Sequence, residues 1–174
     1  MINGVGAGAP GTTSWAVTRR TETVPLRALV AEAVDAARVR DDERRWLVED
    51  GPEAGVTGDP SSLRRLLDNL LANGAAHTPP GTTVVVRVGS ESGAVVIEVT
   101  DDGPGLPARM SDDPFDRFTR GPAASDTTPR SGSGLGLAIV RAIAEAHGGT
   151  ATITATEPAR GLTVRVRLPL HDPG

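Results

Sequence analysis

The chain has 174 residues, a formal net charge of −4 at pH 7 and no cysteine. Its length predicts one domain, and the lack of cysteine excludes disulfides, thiolate catalysis and cysteine-ligated zinc. The acidic balance argues against a general nucleic-acid binder. No apolar run approaches the roughly 20 residues that span a bilayer, and no signal-peptide core is present. A cytoplasmic protein with no direct membrane insertion is therefore expected.

The chain also contains no lysine, so every side chain in its Lys and Arg total of 18 is an arginine. A Walker A loop needs a lysine on the phosphates, and a protein kinase needs a lysine on one of its strands. Both architectures are therefore excluded. If the chain binds a nucleotide, the phosphates must be bound by a type of site that needs no lysine.

The first half of the chain shows two helical patterns separated by short extended segments. Residues 1–22 have no apolar period and are predicted to form a flexible tail. An apolar stripe then predicts a helix, with its buried face at Leu26, Leu29, Val30, Ala33, Val34 and Ala37. Short strands are predicted at residues 45–48 and 55–58. Asp59 and Pro60 form the start signal of a long helix that ends before a Pro-Pro-Gly stop.

The second half alternates hairpins with one more helix. Its strands are predicted at residues 82–88, 94–100, 150–156 and 162–168, with a turn at residues 89–93. The helix carries its apolar positions at Leu137, Val140, Ile143 and Ala144. It is expected to stop at residues 147–149, and residues 171–174 are expected to fray.

These elements predict an α/β (α+β) two-layer sandwich over residues 23–170. Its sheet is mixed and mostly antiparallel, and about three helices cover one face. Loop 106–133 is too long for an ordinary connection in a compact domain and lies between two Gly-rich segments. It is therefore predicted to be a lid.

Two asparagines lie four residues apart on the long helix, at Asn69 and Asn73. This spacing places both amides on one helical face. Amide oxygens suit Mg²⁺, which needs only one or two protein oxygens when phosphates supply the rest. The alternative is a pair of solvent-facing or capping side chains.

The segment DDGPG, residues 101–105, follows a predicted strand directly. A carboxylate at a strand end can accept a hydrogen bond from the amino group of a purine, and glycine lets the backbone turn beside a ligand. An ordinary Asp-Gly turn is the alternative.

A third motif, GSGLGL at residues 132–137, opens the last helix. Backbone N–H groups at a helix N-terminus bind anions, although a flexible hinge is the alternative. A dinucleotide-binding loop is rejected because Leu137 replaces its final glycine, no strand precedes it, and no acidic residue follows at the required distance.

The order of these motifs carries more information than any one of them. LLDNLLAN at residues 66–73 resembles the N box of histidine kinases, and residues 101–105 resemble their first glycine box. DPFDRF at residues 113–118 resembles the F box, and residues 132–140 resemble the second glycine box. Residues 24–169 are thus similar to the ATP-binding domain of the GHKL superfamily, in its histidine-kinase branch.

The resemblance implies the Bergerat fold with bound ATP and Mg²⁺. It implies that Asn73 coordinates Mg²⁺ and that Asn69 lines the phosphate site. Asp101 would bind the adenine amino group, and His77 would lie beside the base. Gly103 and Gly105 would shape the adenine pocket. The triphosphate would be wrapped by Gly132, Gly134 and Gly136, and Leu137 would also line the nucleotide site.

The resemblance also implies that Phe115 and Phe118 pack the lid. If the chain is one half of a split kinase, it needs an interface for its partner, which predicts an exposed apolar patch near Phe115, Phe118 and the lid. Arg120 or Arg130 would reach the γ-phosphate. Two positions depart from the family pattern, because Ala76 replaces a basic residue that is often present and Gly74 replaces alanine. These departures predict weaker ATP binding or slower transfer.

No phosphoacceptor histidine of the histidine-kinase type is expected in the chain. His77 lies in the nucleotide helix, His147 at a helix end and His171 in the tail. The acceptor would lie on a separate phosphoacceptor domain or protein, followed by a response regulator. Both an excised domain and one half of a split kinase fit this expectation, and the domain should be monomeric in isolation.

Three other functions compete with histidine phosphorylation. An anti-sigma-type serine kinase lacks the F box that Phe115 and Phe118 indicate. A hydrolytic ATPase needs an acidic residue on the long helix, and Asp68 lies on the wrong face. A nucleotide-binding regulator or pseudokinase without transfer activity is favoured by Ala76.

Overall fold

The computed structural model describes residues 21–49, 51–105, 115, 135–155 and 161–170. Within these ranges the elements in chain order are β1 (Glu22–Pro25), α1 (Leu26–Arg40), β2 (Arg45–Glu49), β3 (Gly55–Gly58), α2 (Pro60–His77), β4 (Thr83–Glu91), β5 (Ala94–Asp101), α3 (Gly136–Ala146), β6 (Thr150–Ala155) and β7 (Leu162–Pro169).

The predicted helices and strands are present, with two corrections. β1 is a strand that the sequence pattern did not predict, and it begins at Glu22, which the prediction placed in the tail. It pairs antiparallel with β3, with Val24 opposite Val56. The turn between β4 and β5 is shorter than predicted, because β4 continues to Glu91 and pairs there with Ala94.

The main sheet has five strands in the order β2-β4-β5-β7-β6. β2 runs parallel to β4, while the β4–β5, β5–β7 and β6–β7 pairs are antiparallel. Alternate residues of the central strands are buried in one core with the apolar faces of α1, α2 and α3. The two-layer sandwich with a mixed sheet and three helices is therefore confirmed for the described part of the chain.

The opposite face of the sheet carries a row of alternating charges. Arg87 on β4 lies 2.5 Å from Glu49 on β2 and 3.7 Å from Glu98 on β5. Arg165 on β7 lies 3.6 Å from Glu98 on its other side. The hydrogen bond that Arg87 donates to the Glu49 carboxylate holds the pKa of Arg87 above its ordinary value. These partly exposed pairs contribute little stability, and they mark this face of the sheet as a polar surface.

Helix α2 begins at the predicted cap. The Asp59 carboxylate accepts hydrogen bonds from Ser62 N and Ser61 Oγ, both at 2.8 Å. These bonds, with that of Ser62 the larger cause, hold the pKa of Asp59 below its ordinary value. The cap satisfies N–H groups that a helix leaves without partners at its start. It fixes where α2 begins, and hence which residues face the sheet and which face α3.

Replacing Gly74 by alanine should stabilise the fold. Gly74 is buried inside α2, and a Cβ there would lie 3.6 Å from Val84 Cγ1, which is an ordinary contact. Glycine inside a helix costs about 1 kcal/mol relative to alanine. The free energy of unfolding from urea titration should therefore rise by about 1 kcal/mol in Gly74→Ala. A fall would mean that the space beside Val84 is smaller than the structure indicates.

Candidate functional site

The site begins at the end of β5, where Asp101 is half-buried. Its Oδ1 accepts a hydrogen bond from Gly103 N at 2.9 Å. Burial raises the pKa of Asp101 above its ordinary value, although hydrogen bonds from Gly103 and Leu162 oppose that shift. Two backbone donors thus orient the carboxylate. A carboxylate in this setting is a directed acceptor for a ligand amino group.

The next residue, Asp102, stabilises the strand pairing. Asp102 is exposed, and its Oδ1 accepts a hydrogen bond from Thr83 N at 2.7 Å. Its own N–H donates to Thr83 O at 3.2 Å, which extends the β4–β5 pairing by one residue. The two neighbouring aspartates therefore divide into a strand anchor, Asp102, and a candidate ligand acceptor, Asp101.

The floor of the site has no space for side chains. A Cβ on Gly103 would lie 2.8 Å from both Asp101 Oδ1 and Thr78 Cγ2. Gly105 has a φ of 73°, and a Cβ there would lie 3.1 Å from Gly161 O. A Cβ on Gly161 would in turn lie 2.2 Å from Asp101 O. Three glycines therefore hold the backbone close around Asp101.

Helix α2 supplies the second wall, along its C-terminal half. The Asn69 amide donates from Nδ2 to Arg65 O at 2.7 Å. Its Oδ1 lies 3.5 Å from the position of a Cβ on Gly136, so the amide oxygen lies beside the start of α3. Asn73 is half-buried one turn further on, and His77 is exposed at the last residue of the helix. Asn69, Asn73 and His77 are therefore spaced one turn apart along α2.

The start of α3 supplies the third wall. Leu135 is its N-cap, and no side chain from that position caps the helix. The first turn, which includes Gly136 and Leu137, contains no acidic residue. The backbone N–H groups and the positive end of the helix dipole make such a start suitable for a phosphate. The walls thus offer an acceptor at β5, amide groups on α2 and donors at α3.

His147 joins α3 to the beginning of α2. Its Nδ1 lies 2.8 Å from Ile143 O, and its Nε2 accepts a hydrogen bond from Asp59 N at 3.4 Å. The ring occupies the space of a Cβ on Gly58, at 2.5 Å. α3 ends beside this ring in a Schellman motif, with Gly148 at a φ of 70°. Both ring nitrogens are engaged, so His147 has a structural role.

Replacing His147 by alanine should destabilise the fold by about 1–2 kcal/mol, because two hydrogen bonds and the packing on Gly58 are lost. Urea unfolding followed by circular dichroism measures this loss. His77→Ala is the matched control, since that side chain is exposed and its loss should change stability far less. Equal effects of the two substitutions would contradict the structural role of His147.

Asp68 does not point into the site. Its Oδ1 lies 3.2 Å from Arg64 Nε and 3.6 Å from Arg40 Nη2 at the end of α1. The carboxylate therefore faces α1 and not α3. This agrees with the expectation that Asp68 lies on the wrong face of α2 to activate water.

Phe115 corrects one prediction about the surface. Its side chain is 5% exposed and belongs to the main core. The Arg141 guanidinium of α3 lies 4.5 Å from the centre of its ring, in a cation–π contact. Phe115 is therefore not part of the exposed apolar patch predicted near it, because α3 and the core cover its ring. Apart from Phe115, the predicted lid at residues 106–133 lies outside the described part of the chain.

Other predicted residues lie outside the described part of the chain. They comprise the lid aromatic and the two candidate γ-phosphate arginines, together with two glycines of the second glycine box, namely Phe118, Arg120, Arg130, Gly132 and Gly134. Sequence reasoning missed three residues that build the site. Gly161 packs against the Asp101 carbonyl, Thr78 lies beside Gly103, and Arg44 donates a hydrogen bond to Thr78.

Comparison with known structures confirms the fold as that of histidine-kinase ATP-binding domains. The mycobacterial sensor histidine kinase MprB aligns with a TM-score of 0.74 and 31% identity, over 87% of this chain and 98% of that one. The ATP-binding domain of PrrB from Mycobacterium tuberculosis aligns with a TM-score of 0.69 and 27% identity, over 88% and 99% of the two chains. Fold and site together define an ATP-binding domain of the GHKL class.

The model of the family described as histidine kinase-, DNA gyrase B-, and HSP90-like ATPase matches residues 58–172, and the chain belongs to this family. The probable sensor histidine kinase TcrY of Mycobacterium tuberculosis (strain ATCC 25618 / H37Rv) is 40% identical over 149 residues, which cover 84% of this chain. The chain spans about 30% of the length of that relative. In the described residues, no helix is long and apolar enough to cross a membrane.

Proposed function

We propose that this domain binds Mg-ATP between β5, α2 and α3 and supplies its γ-phosphate to a histidine on a separate phosphoacceptor domain. Asp101 would accept a hydrogen bond from the adenine amino group, with His77 beside the base. Gly103 and Gly105 would shape the base pocket, and the start of α3 would bind phosphate oxygens. The cytoplasm, where ATP is abundant, is the proposed location.

One observation carries the proposal most directly. The Asp101 carboxylate is half-buried and held by backbone donors, and the position of a Cβ on Gly103 lies 2.8 Å from its Oδ1. A half-buried acceptor beside glycines without side chains suits a flat ring that carries an amino group. The distances at Gly103 and Gly161 mean that larger residues would clash with Asp101 and force the backbone around it to shift.

The α2 amides fit the magnesium ion of the proposal. Mg²⁺ prefers oxygen ligands, and the amide oxygens of Asn73 and Asn69 would bind the ion together with phosphate oxygens. When bound, Mg²⁺ neutralises charge on the β- and γ-phosphates during transfer.

The proposed transfer requires a nucleophile from outside the described residues. An acceptor imidazole nitrogen would form a bond to the γ-phosphorus as the bond to the β–γ bridging oxygen breaks, and ADP would leave. The domain's contribution is positioning and charge stabilisation, which dominate phosphoryl transfer. A response regulator would then receive the phosphoryl group.

Transfer can be tested with γ-labelled ATP and a panel of phosphoacceptor-histidine domains prepared from sensor histidine kinases. Label should appear on an acceptor domain, be lost in acid and persist in alkali, as expected of a phosphorus–nitrogen bond. The acceptor His→Gln variant of each domain is the control. Acid-stable label would indicate a serine kinase instead, and label on no acceptor despite ATP binding would favour the second function.

That second function is a nucleotide-dependent regulator that does not transfer phosphate. It is favoured by Ala76, which stands in α2 where the family often has a basic residue. Ala76→Arg is a direct test, because it restores a cation one turn beyond Asn73. Tighter ATP binding in Ala76→Arg with no gain of transfer would support the regulator.

Nucleotide affinity should fall on acidification at a higher pH than for an ordinary aspartate. Burial raises the pKa of Asp101, and the ionised carboxylate is the form that accepts from adenine. The folded chain holds this proton more tightly than the unfolded chain. The contribution of Asp101 to the unfolding free energy is therefore largest at low pH and is lost as pH rises through the raised pKa.

Calorimetric titration with ATP from neutral to acidic pH should thus show a falling affinity for ATP. Protonation of Asp101 should not itself unfold the chain over this range. The variant His77→Gln serves as the control, since it removes a side chain that acts electrostatically on Asp101 but leaves the carboxylate and its backbone donors in place. It should retain the same acid loss of affinity. An affinity that stays constant through the acidic range would argue against Asp101 as the base acceptor.

A further inference from the structure

A largely buried ion pair lies next to the candidate site, in the connection between α1 and β2. Arg44 Nη1 lies 2.7 Å from Asp41 Oδ2, and the two side chains are only 7% and 16% exposed. Asp41 is itself fixed, because its carbonyl oxygen accepts a hydrogen bond from Trp46 Nε1 at 3.1 Å. A buried pair of this kind is weak evidence for stability alone, so its contacts indicate what it does.

Arg44 binds the residue that follows α2. Its Nε donates to Thr78 Oγ1 at 2.9 Å, and its Nη2 donates to Thr78 O. The Thr78 hydroxyl donates onward to Gly74 O at 2.6 Å. The guanidinium therefore holds Thr78 by its side chain and its backbone, at the negative end of the α2 dipole. Thr78 is 1% exposed, so it has little freedom to move.

Thr78 in turn contacts the floor of the site. Its Cγ2 lies 2.8 Å from the position of a Cβ on Gly103. Gly103 donates its N–H to Asp101 Oδ1. Hydrogen bonds thus link Asp41 through Arg44 to Thr78, the Thr78 methyl group occupies the space beside Gly103, and Gly103 bonds to the carboxylate.

We infer that Arg44 is a positioning residue for the nucleotide base. It fixes Thr78, and Thr78 fixes the Gly103 backbone that orients the Asp101 carboxylate. This inference rests on the proposed role of Asp101 in binding adenine. Arg44 would act through Thr78 and Gly103 and not by binding the nucleotide itself.

The test uses Arg44→Lys, which retains the positive charge beside Asp41 but cannot reproduce the planar fork that binds Thr78. The matched control is Arg38→Lys. Arg38 also forms an aspartate contact, to Asp35 at 2.7 Å, and donates two bonds to one carbonyl, Trp46 O, at 3.1 and 2.8 Å. Its partners are Asp35 on α1 and the Trp46 carbonyl on β2, so it shares the neighbourhood of the Asp41–Arg44 pair but does not bind Thr78.

Two quantities are measured in the full chain, under conditions where thermal melts show each variant folded. The first is the dissociation constant for Mg-ATP, which should rise about tenfold in Arg44→Lys and stay unchanged in Arg38→Lys. The second is the titration of the Asp101 carboxyl carbon by NMR without nucleotide. Loosening the Gly103 hydrogen bond should move this titration to higher pH in Arg44→Lys alone.

Thr78→Ser provides a milder variant if Arg44→Lys does not fold, because it keeps both Arg44 contacts and removes only the methyl group against Gly103. It should shift the Asp101 titration in the same direction. Unchanged ATP affinity and unchanged Asp101 titration would overturn the inference, provided that Asp101→Ala still loses ATP. If wild type does not bind ATP, or Asp101→Ala binds it normally, the proposed function fails instead.

Discussion

Asp101→Ala should lose ATP binding by about a hundredfold or more, while the chain remains folded. The substitution removes a directed, half-buried acceptor, and a base amino group left without a partner in such a site costs several kcal/mol. Burial raises the pKa of this carboxyl, so the folded state gains little from its charge and should tolerate the loss. Isothermal titration with Mg-ATP measures the affinity.

Asp102→Ala provides the matched control for that experiment. The two residues are neighbours of the same type, but the Asp102 carboxylate bonds to Thr83 N and is exposed. Its removal should lower stability slightly and leave ATP affinity within about threefold. A result in which both variants bind alike would mean that the adenine amino group is recognised elsewhere.

Gly103→Ala should reduce both affinity and stability. The added Cβ would lie 2.8 Å from Asp101 Oδ1 and from Thr78 Cγ2, and Thr78 is held by Arg44 and cannot easily retreat. Overpacking of this kind costs about 1–3 kcal/mol. The backbone shift should also displace the Asp101 carboxylate, so ATP affinity should fall at least about tenfold.

The comparison for Gly103 is Gly89→Ala. Gly89 lies in β4, where a Cβ would meet nothing within 4 Å. Urea unfolding and ATP titration should therefore change little in this variant. A Gly103→Ala chain that unfolds and binds like Gly89→Ala would show that the floor of the site is less tightly packed than the structure indicates.

The parts of the fold that sequence could predict depend on local patterns. The apolar stripe of α2 and its Asp59 cap lie within one helix, so their spacing alone indicates them. Asp101 could be placed at the end of a strand because β5 alternates up to that residue. The order of the motifs then restricted the fold to one superfamily.

The parts that sequence could not predict depend on contacts between distant residues. Arg44 and Thr78 are 34 positions apart, and His147 and Asp59 are 88 apart. β1 was missed because its four residues gain their partner only when β3 folds beside them. Gly161 carried no motif, and its importance comes from the register that places it against the Asp101 carbonyl.

The direct measurement of the central claim is calorimetric titration of the wild-type chain with ATP, with and without Mg²⁺. The structure leads us to expect one bound nucleotide per chain, with tighter binding in Mg²⁺, because the Asn73 and Asn69 amides would share the ion with the phosphates. Loss of the Mg²⁺ dependence of ATP affinity in Asn73→Ala would support Asn73 as the magnesium ligand. No binding heat from wild type up to millimolar ATP would contradict the account.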